Sequence, residues 1–479
     1  MTDMLICKDV LSNSDVKFGT SGARGLVEDF TPEVCAAFVS AFLTRISKCF
    51  ASDTLFLGID NRPSSPIIAK LCASAAIAVG YKVRYFGVLP TPALALYALA
   101  NKQPSIMVTG SHIPFDRNGL KFYTPEGEIT KQDEQEIVTS TENVVLSNSP
   151  FLLNLDCAAI EAYKARYCTL FGRDTLRNKR IGVYEHSSAG RDIFRGILES
   201  LGADVISFGR SDEFVPIDTE AVSDEDKERA KAWVNEFKLD AIFSTDGDGD
   251  RPLIADEHGN WLRGDIVGLL TCMELGIESV ATPVSCNSAI ESSGEFKEVS
   301  RTRIGSPYVI AEFPTLATKY NTTAGFEANG GFMLGSTCQY NGADVAPLPT
   351  RDAMLPFIMI MARSVNKSCT VSALSESLPS RFTDSDRLKN MPTEKSKDFI
   401  AHGVANTSLL VKKLGLANHI VALNQVDGLR MTLSNDDIVH LRPSGNAPEM
   451  RVYVESGGQD SAKQLLDLVL SKLQKILVS

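Results

Sequence analysis

The sequence predicts an α/β chain of three repeated α/β domains, each with a βαβ-type mixed sheet, and a smaller C-terminal α+β domain, arranged around a central cleft. Three observations carry this: one strand–helix–strand scheme that occurs three times, a glycine-bearing loop that follows each copy, and a change of pattern after about residue 380. The expected boundaries are 1–152, 153–258, 259–380 and 381–479. At about 100 to 200 residues per domain, a 479-residue chain has room for roughly this number.

In the first copy, residues 54–60 (TLFLGID) form an apolar strand-like run. A polar stretch follows at 61–65 (NRPSS), then a helical segment to Val79, Gly80, and a second run at 82–86. Residues 180–185 (RIGVYE) start the second copy, with 187–190 (SSAG), a helix to Leu201, Gly202 and the run 204–208. A weaker third copy runs from 279–285 (SVATPVS) through 286–288 (CNS) and a short helix to 298–303. Strand, polar helix cap, helix, glycine and strand together describe a βαβ unit with a right-handed crossover. Each copy then leads into strand, loop, strand, turn and helix, at residues 104–130, 239–262 and 322–347. In open α/β sheets such loops lie beyond the strand ends, so three loops in one topological position can face one another across a cleft. Past residue 380 the runs IVALNQ, GLRMTLS and IVHLRP, then 451–454, read as strands. An amphipathic helix closes the chain, with Ala462, Leu465, Leu466, Leu468, Val469, Leu473 and Ile476 on its apolar face.

Composition narrows the function. A 44% hydrophobic content is ordinary for a globular protein and excludes disorder as the dominant state. With 48 Lys+Arg against 59 Asp+Glu, the net charge of −11 argues against nucleic acid as a partner, while a local cluster of cations can still oppose the global sign. Apolar runs such as 354–362 fall far short of the ~18 residues needed to span a bilayer, and no signal peptide is visible. The ten cysteines are dispersed without a C-x-x-C pair, which fits reduced core thiols in a cytoplasmic protein better than a zinc site or a disulfide framework.

The loops carry the chemistry. In 245–251 (TDGDGDR), Asp246, Asp248 and Asp250 alternate with glycines, a spacing that lets three carboxylates converge on one hard cation. An EF-hand is a poor fit, because Arg251 stands at the sixth position where that loop needs glycine, and Pro252 follows. Arg251 beside a metal cluster makes sense if an anion also arrives there. In 109–114 (TGSHIP), Ser111 has His112 adjacent and Lys121 downstream, which supplies a hydroxyl, a proton acceptor and a cation for phosphoryl transfer. In 442–448 (RPSGNAP), an arginine fork, Ser444, Asn446 and a close-approaching Gly445 suit a phosphate that is gripped without reacting. Residues 17–25 (KFGTSGARG) form a further polar glycine loop carrying Arg24. Residues 327–331 (EANGG) carry a carboxylate and an amide, Glu327 and Asn329, which suit sugar hydroxyls rather than phosphate.

Taken together, residues 17 to 456 resemble the α-D-phosphohexomutase family, most closely its bacterial phosphomannomutase branch. The resemblance implies that Ser111 carries the phosphoryl group, with His112 and Lys121 as acid/base and charge partners and Arg24 as a supporting cation. It implies Mg2+ held by Asp246, Asp248, Asp250 and the phosphorylated Ser111. Arg442, Ser444, Gly445 and Asn446 match the loop for the non-reacting phosphate, and Arg251, Arg303, Gly305, Glu327 and Asn329 are implied at the substrate. The implied reaction interconverts mannose 6-phosphate and mannose 1-phosphate through a hexose 1,6-bisphosphate. Phosphoglucomutase or phosphoacetylglucosamine mutase activity is the alternative, and a non-catalytic sugar-phosphate or calcium-binding protein a third reading. Such a protein is expected in the cytoplasm as a monomer or homodimer, with small hexose phosphates as its partners and no membrane or nucleic acid. The chain departs from the family pattern at Ile113, where asparagine is usual, and at Asn446-Ala447, where Thr-Glu is usual. At 326–331 it reads FEANGG, where many mannose and glucose enzymes read GEMSGH and acetylglucosamine mutases carry FEANG.

Overall fold

The computed structural model describes residues 5–146, 153–444 and 449–477. Three of its sheets share one topology. In the first, Lys82–Val88, Thr54–Ile59, Ser105–Val108 and Arg117–Thr124 lie side by side in that order. The first three run parallel and the fourth antiparallel. Asp204–Phe208, Arg180–Tyr184, Ala241–Thr245 and Pro252–Ala255 repeat the arrangement. Glu298–Thr302, Ser279–Pro283, Thr323–Phe326 and Phe332–Leu334 repeat it again. In each sheet the chain leaves the carboxyl end of a parallel strand and reverses into the antiparallel one, and ligand loops in open α/β sheets gather at such ends. The three reversals are residues 109–116, 246–251 and 327–331, the loops singled out by their composition.

Local chemistry accounts for the elements. Thr31 caps the helix Pro32–Cys49 by accepting from the Val34 N–H at 3.3 Å, with proline in its first turn, and the helix buries Cys35, Phe38, Phe42 and Ile46. The loop read at 17–25 is a short hairpin, Lys17–Phe18 and Ala23–Leu26, that extends the first sheet along Arg117–Thr124. Its turn needs Gly22, whose φ is +77° and where a Cβ would lie 2.5 Å from the Leu120 carbonyl oxygen.

One continuous apolar core runs under all three sheets, from Phe56 and Phe86 through Phe194 and Phe243 to Phe357 and Leu378. The helix Met354–Asn366 is buried on nearly every side, which is why its sequence lacks a polar face. The core therefore fixes the three reversals relative to one another.

The C-terminal unit stands on its own core. Its antiparallel sheet has the order Phe382–Leu388, Met450–Ser456, Ile438–Pro443, Leu429–Leu433, Ile420–Asn424, and the helix Gln459–Leu477 packs against it with Ala462, Leu466, Val469 and Leu473 buried. Phe382–Leu388 is an edge strand that the sequence did not reveal: FTDSDRL shows no apolar alternation because most of its side chains stay partly exposed. Among the described residues no helix is long and apolar enough to cross a membrane.

Leu473 is fully buried in the C-terminal core. Leu473→Ala is expected to cost that unit about 2–5 kcal/mol. Because its core is separate, differential scanning calorimetry should show one component moving to lower temperature while the component of the three sheets stays in place.

Candidate active site

Ser111 occupies the first reversal with φ +55°, a left-handed backbone that non-glycine residues adopt at a cost of order 1 kcal/mol. Arg62 holds it there. This arginine is 1% exposed, and its guanidinium donates to the carbonyl oxygens of Ser111 (3.0 Å), Ile113 (2.5 Å), Pro114 (2.6 Å) and Arg117 (2.9 Å). Asp60 pairs with its Nε at 3.2 Å and accepts from Thr109 Oγ1 at 2.6 Å; Thr109 Oγ1 in turn accepts the Ser111 N–H at 2.8 Å. The Phe214 ring from the second repeat covers Arg62 with 4.0 Å between guanidinium carbon and ring centroid. Gly110 passes so close that a Cβ would lie 2.6 Å from Arg62 Cζ.

The second reversal delivers carboxylates to this serine. Ser111 Oγ donates to Asp246 Oδ2 at 2.6 Å, and Asp246 Oδ1 accepts the N–H groups of Asp250 and Arg251, both at 3.2 Å. Asp246, Asp248 and Asp250 are fully buried and can each offer one oxygen within 4.8 Å of the others. Lys121 Nζ lies 2.5 Å from Asp248 Oδ2 and 2.6 Å from Asp250 Oδ2. Arg351, on the third sheet's strand Leu348–Asp352, pairs with Asp250 at 3.0 Å and with Glu327 at 3.3 Å. Burial, then Asp248 and Asp250, push the Asp246 carboxyl above the usual range. Burial also works to raise Asp250, but Arg351, Lys121 and Arg251 outweigh it and hold this carboxylate below that range. The Oδ1 atoms of Asp248 and Asp250 are buried acceptors without a hydrogen-bond partner. Orphaned carboxylate oxygens in a converging triad fit a hard divalent cation.

Cations surround the serine. Arg251 Nη1 donates to His112 Nδ1 at 2.8 Å, and His112 Nδ1 lies 3.3 Å from Ser111 Oγ. Burial, then Arg251 and Arg24, drive the His112 pKa down to about 2, so the ring is neutral, with its remaining proton on Nε2. Burial, then Arg251 and Arg351, lower Arg24 to about 10. The backbone of Arg24 is paired in the hairpin, but its guanidinium has no hydrogen-bond or ion-pair partner among the described residues, as suits a cation built to meet an anion.

The third reversal sits beside this cluster through Glu327 and Arg351. Asn329 spends its side-chain oxygen on the Gly331 N–H at 3.0 Å, and its backbone carbonyl accepts from Thr219 Oγ1 at 2.7 Å. Arg303 and Arg442 lie together at a different point, around the 424–428 turn of the C-terminal unit: Arg303 Nε donates to the Val426 carbonyl at 3.2 Å, and Arg442 pairs with Asp427 at 2.9 Å. Gly305 has φ +132° and packs on Thr20, where a Cβ would lie 2.6 Å from the Thr20 methyl. Ser444 is buried and its N–H donates to the Glu449 carbonyl at 2.9 Å; Gly445 and Asn446 lie outside the described residues.

With this geometry, the chain matches alpha/beta/alpha domains I, II and III of the phosphoglucomutase/phosphomannomutase family over residues 15–146, 160–259 and 264–382. The chain belongs to this family. A phosphomannomutase of Salmonella muenchen is 53% identical over 472 residues, covering 98% of each chain. One from Sinorhizobium fredii is 42% identical over 477 residues, covering 96% of this chain and 99% of its own. Among solved structures, a phosphoglucomutase/phosphomannomutase family protein from Burkholderia thailandensis has the same fold, with TM-score 0.75, 18% identity and 98% of each chain covered. The N-acetylphosphoglucosamine mutase of Aspergillus fumigatus is more distant at TM-score 0.57 and 14% identity, covering 98% of each chain. The protein is thus a phosphohexomutase, an isomerase that moves a phosphoryl group within sugar phosphates.

Within this phosphohexomutase, four site residues escaped the sequence reading. Arg62 and Asp60 read only as part of a polar helix cap, although an Asp-x-Arg pair directly after an apolar strand was the available signal. Arg351 sits in the T-R-D triplet at 350–352, where charge enters between two apolar runs. Thr91, whose hydroxyl donates to Asp248 and whose N–H donates to the Asp248 carbonyl at 2.9 Å, is an ordinary helix-start residue in sequence.

Lysine cannot fork to four carbonyls, so Arg62→Lys should let the serine loop relax. The expected outcome is a kcat lower by about a hundredfold, the scale of a 1 Å misplacement, with KM within a few-fold of wild type in steady-state assays.

Proposed function

We propose that the protein is a magnesium-dependent phosphomannomutase of the cytoplasm that interconverts mannose 6-phosphate and mannose 1-phosphate through phosphorylated Ser111 and a 1,6-bisphosphate. The observation that carries this reading is the 2.6 Å contact between Ser111 Oγ and Asp246 Oδ2, which puts a buried hydroxyl directly beside the carboxylate triad. The two relatives at 53% and 42% identity, both phosphomannomutases, support mannose as the sugar. Ten cysteines without disulfides suit a reducing compartment. Residues 1–152, 153–258, 259–380 and 381–479 serve as its four domains.

Ser111 Oγ transfers its phosphoryl group to a hydroxyl of the hexose phosphate. The P–O bond to serine breaks as the bond to the sugar oxygen forms, and the hydroxyl proton ends on Ser111 Oγ. His112, whose Nδ1 lies 3.3 Å from that oxygen, is its acid/base partner once Arg251 leaves the ring for the phosphoryl oxygens. Arg24, Arg251 and Lys121 carry the positive charge that opposes the phosphoryl oxygens. Asp246, Asp248 and Asp250, with an oxygen of the phosphorylated serine, would hold Mg2+, which when bound would neutralise charge on the transferring group. Glu327 and Asn329 hydrogen-bond the sugar hydroxyls, since Asn329 keeps its amide N–H groups after its oxygen is spent on Gly331. Arg303 and Gly305, together with Arg442, Ser444, Gly445 and Asn446, receive the phosphate that does not react. After the bisphosphate turns over in the cleft, its other phosphoryl group returns to Ser111.

The segment FEANGG at 326–331 favours acetylglucosamine phosphate as the second reading. Coupled assays on mannose 1-phosphate, glucose 1-phosphate and N-acetylglucosamine 1-phosphate decide the sugar: kcat/KM for mannose should exceed the others by about tenfold or more, the range one pocket contact supplies. Ser111→Ala should abolish turnover and remove a species heavier by about 80 Da from the intact mass spectrum. Chelation with EDTA should stop turnover, and added Mg2+ should restore it; activity that persists after exhaustive chelation contradicts the metal assignment.

A further inference from the structure

Arg442, at the end of the strand Ile438–Pro443, does not stand alone. Its Nε and Asp427 Oδ2 form an ion pair at 2.9 Å in which the Nε–H makes no hydrogen bond, and the same oxygen accepts the backbone N–H of Ile304 at 3.0 Å. Both side chains of the pair are largely covered, at 17% and 18% exposure. One carboxylate oxygen therefore joins the arginine of the C-terminal unit to the 303–306 segment of the third repeat. That segment is tied to the first repeat as well, through Gly305 against Thr20 and Ser306 Oγ donating to Glu128 at 2.9 Å.

The turn bearing Asp427 is built to keep its carboxylate in place. His440, 1% exposed, lies with Nε2 2.6 Å from the Asp427 carbonyl oxygen, to which it donates. The Val426 N–H donates to Asn424 Oδ1 at 2.9 Å, and the Val426 carbonyl accepts from Arg303. Gly428 follows with φ +83°, where a Cβ would lie 2.3 Å from the Leu441 carbonyl oxygen, so no other residue fits the path. A guanidinium drawn toward a carboxylate on its Nε edge by charge alone keeps its two Nη groups for a second anion, in the fork that matches phosphate oxygens.

We infer that Asp427 is a positioning residue for the phosphate grip: it orients Arg442 from the Nε edge and, through Ile304, makes that orientation depend on the C-terminal unit resting against the third repeat. The inference rests on Arg442 binding the non-reacting phosphate. The carboxylate works behind the arginine and does not compete with the phosphate, which fixes the sign of the effect.

Asp427→Asn keeps an acceptor for the Ile304 N–H and removes the charge facing Arg442. The expected result is a KM for mannose 1-phosphate raised about tenfold, the scale of one charge-assisted contact, with kcat within about twofold. In an Arg442→Lys background, which already lacks the fork, the same change should add less than about twofold. A KM that stays level or falls in Asp427→Asn overturns the inference, the fall meaning that Asp427 opposes the phosphate. If Arg442→Lys alone leaves KM unchanged, the phosphate assignment of Arg442 fails; if it raises KM while Asp427→Asn does not, only the role of Asp427 fails. Should the Asn variant not fold, Asp427→Ser, with a small hydroxyl acceptor, is read in the same way.

Discussion

Lys121 lies between Asp248 and Asp250, and Arg351 closes on Asp250 as well; the rest of the molecule depends on this buried junction. Its members come from three different sheets: Lys121 from the first, the aspartates from the second, Arg351 from the third. Buried charge is expensive to desolvate, and a buried partner removed from such a pair typically costs about 3–5 kcal/mol because the remaining charge is uncompensated. The charges are satisfied only when all three sheets are docked. Domain packing and the assembly of the reactive site are therefore one interaction, reinforced by the common apolar core beneath.

That arrangement explains the division of labour in the chain. The reactive loops share one core and hold Ser111 within 2.6 Å of Asp246, a tolerance that phosphoryl transfer needs because positioning and charge do most of the work. The C-terminal unit, with a core of its own, contributes Arg442 and meets the third repeat through polar contacts, residues 303–304 with 426–427 and residues 287–288 with Arg381 and Glu455. In the proposed reaction, a sugar that must present both ends to one serine would be served by a fixed reactive half and a grip of separate construction.

Much of this was legible in the sequence. The threefold scheme was visible because each βαβ unit alternates apolar runs with glycine stops, and the reversals stood out because Asp-Gly-Asp-Gly-Asp or Ser-His after a strand has no packing reason to exist. The shared topology, antiparallel fourth strand included, confirms that the three loops occupy one structural position. Arg62 and Arg351 were not legible, since their importance lies in what folding brings to them: four carbonyls of a loop about fifty residues away, and carboxylates of two other loops. The edge strand Phe382–Leu388 was hidden for the opposite reason, as it pairs by backbone alone and buries little. The cations singled out in sequence form two groups, one around Ser111 with Arg24, Lys121 and Arg251, the other at the 424–428 turn with Arg303 and Arg442.

On the proposed mechanism, the hydroxyl held beside the carboxylate triad is the one that carries phosphate between substrate molecules. Incubating the enzyme with hexose 1,6-bisphosphate labelled with 32P, digesting with trypsin and sequencing the labelled peptide tests it directly. The account predicts label on the peptide of residues 103–117, at Ser111 and not at Ser105, chased off by unlabelled mannose 1-phosphate. Label at another residue, or turnover with no labelled peptide, would contradict it.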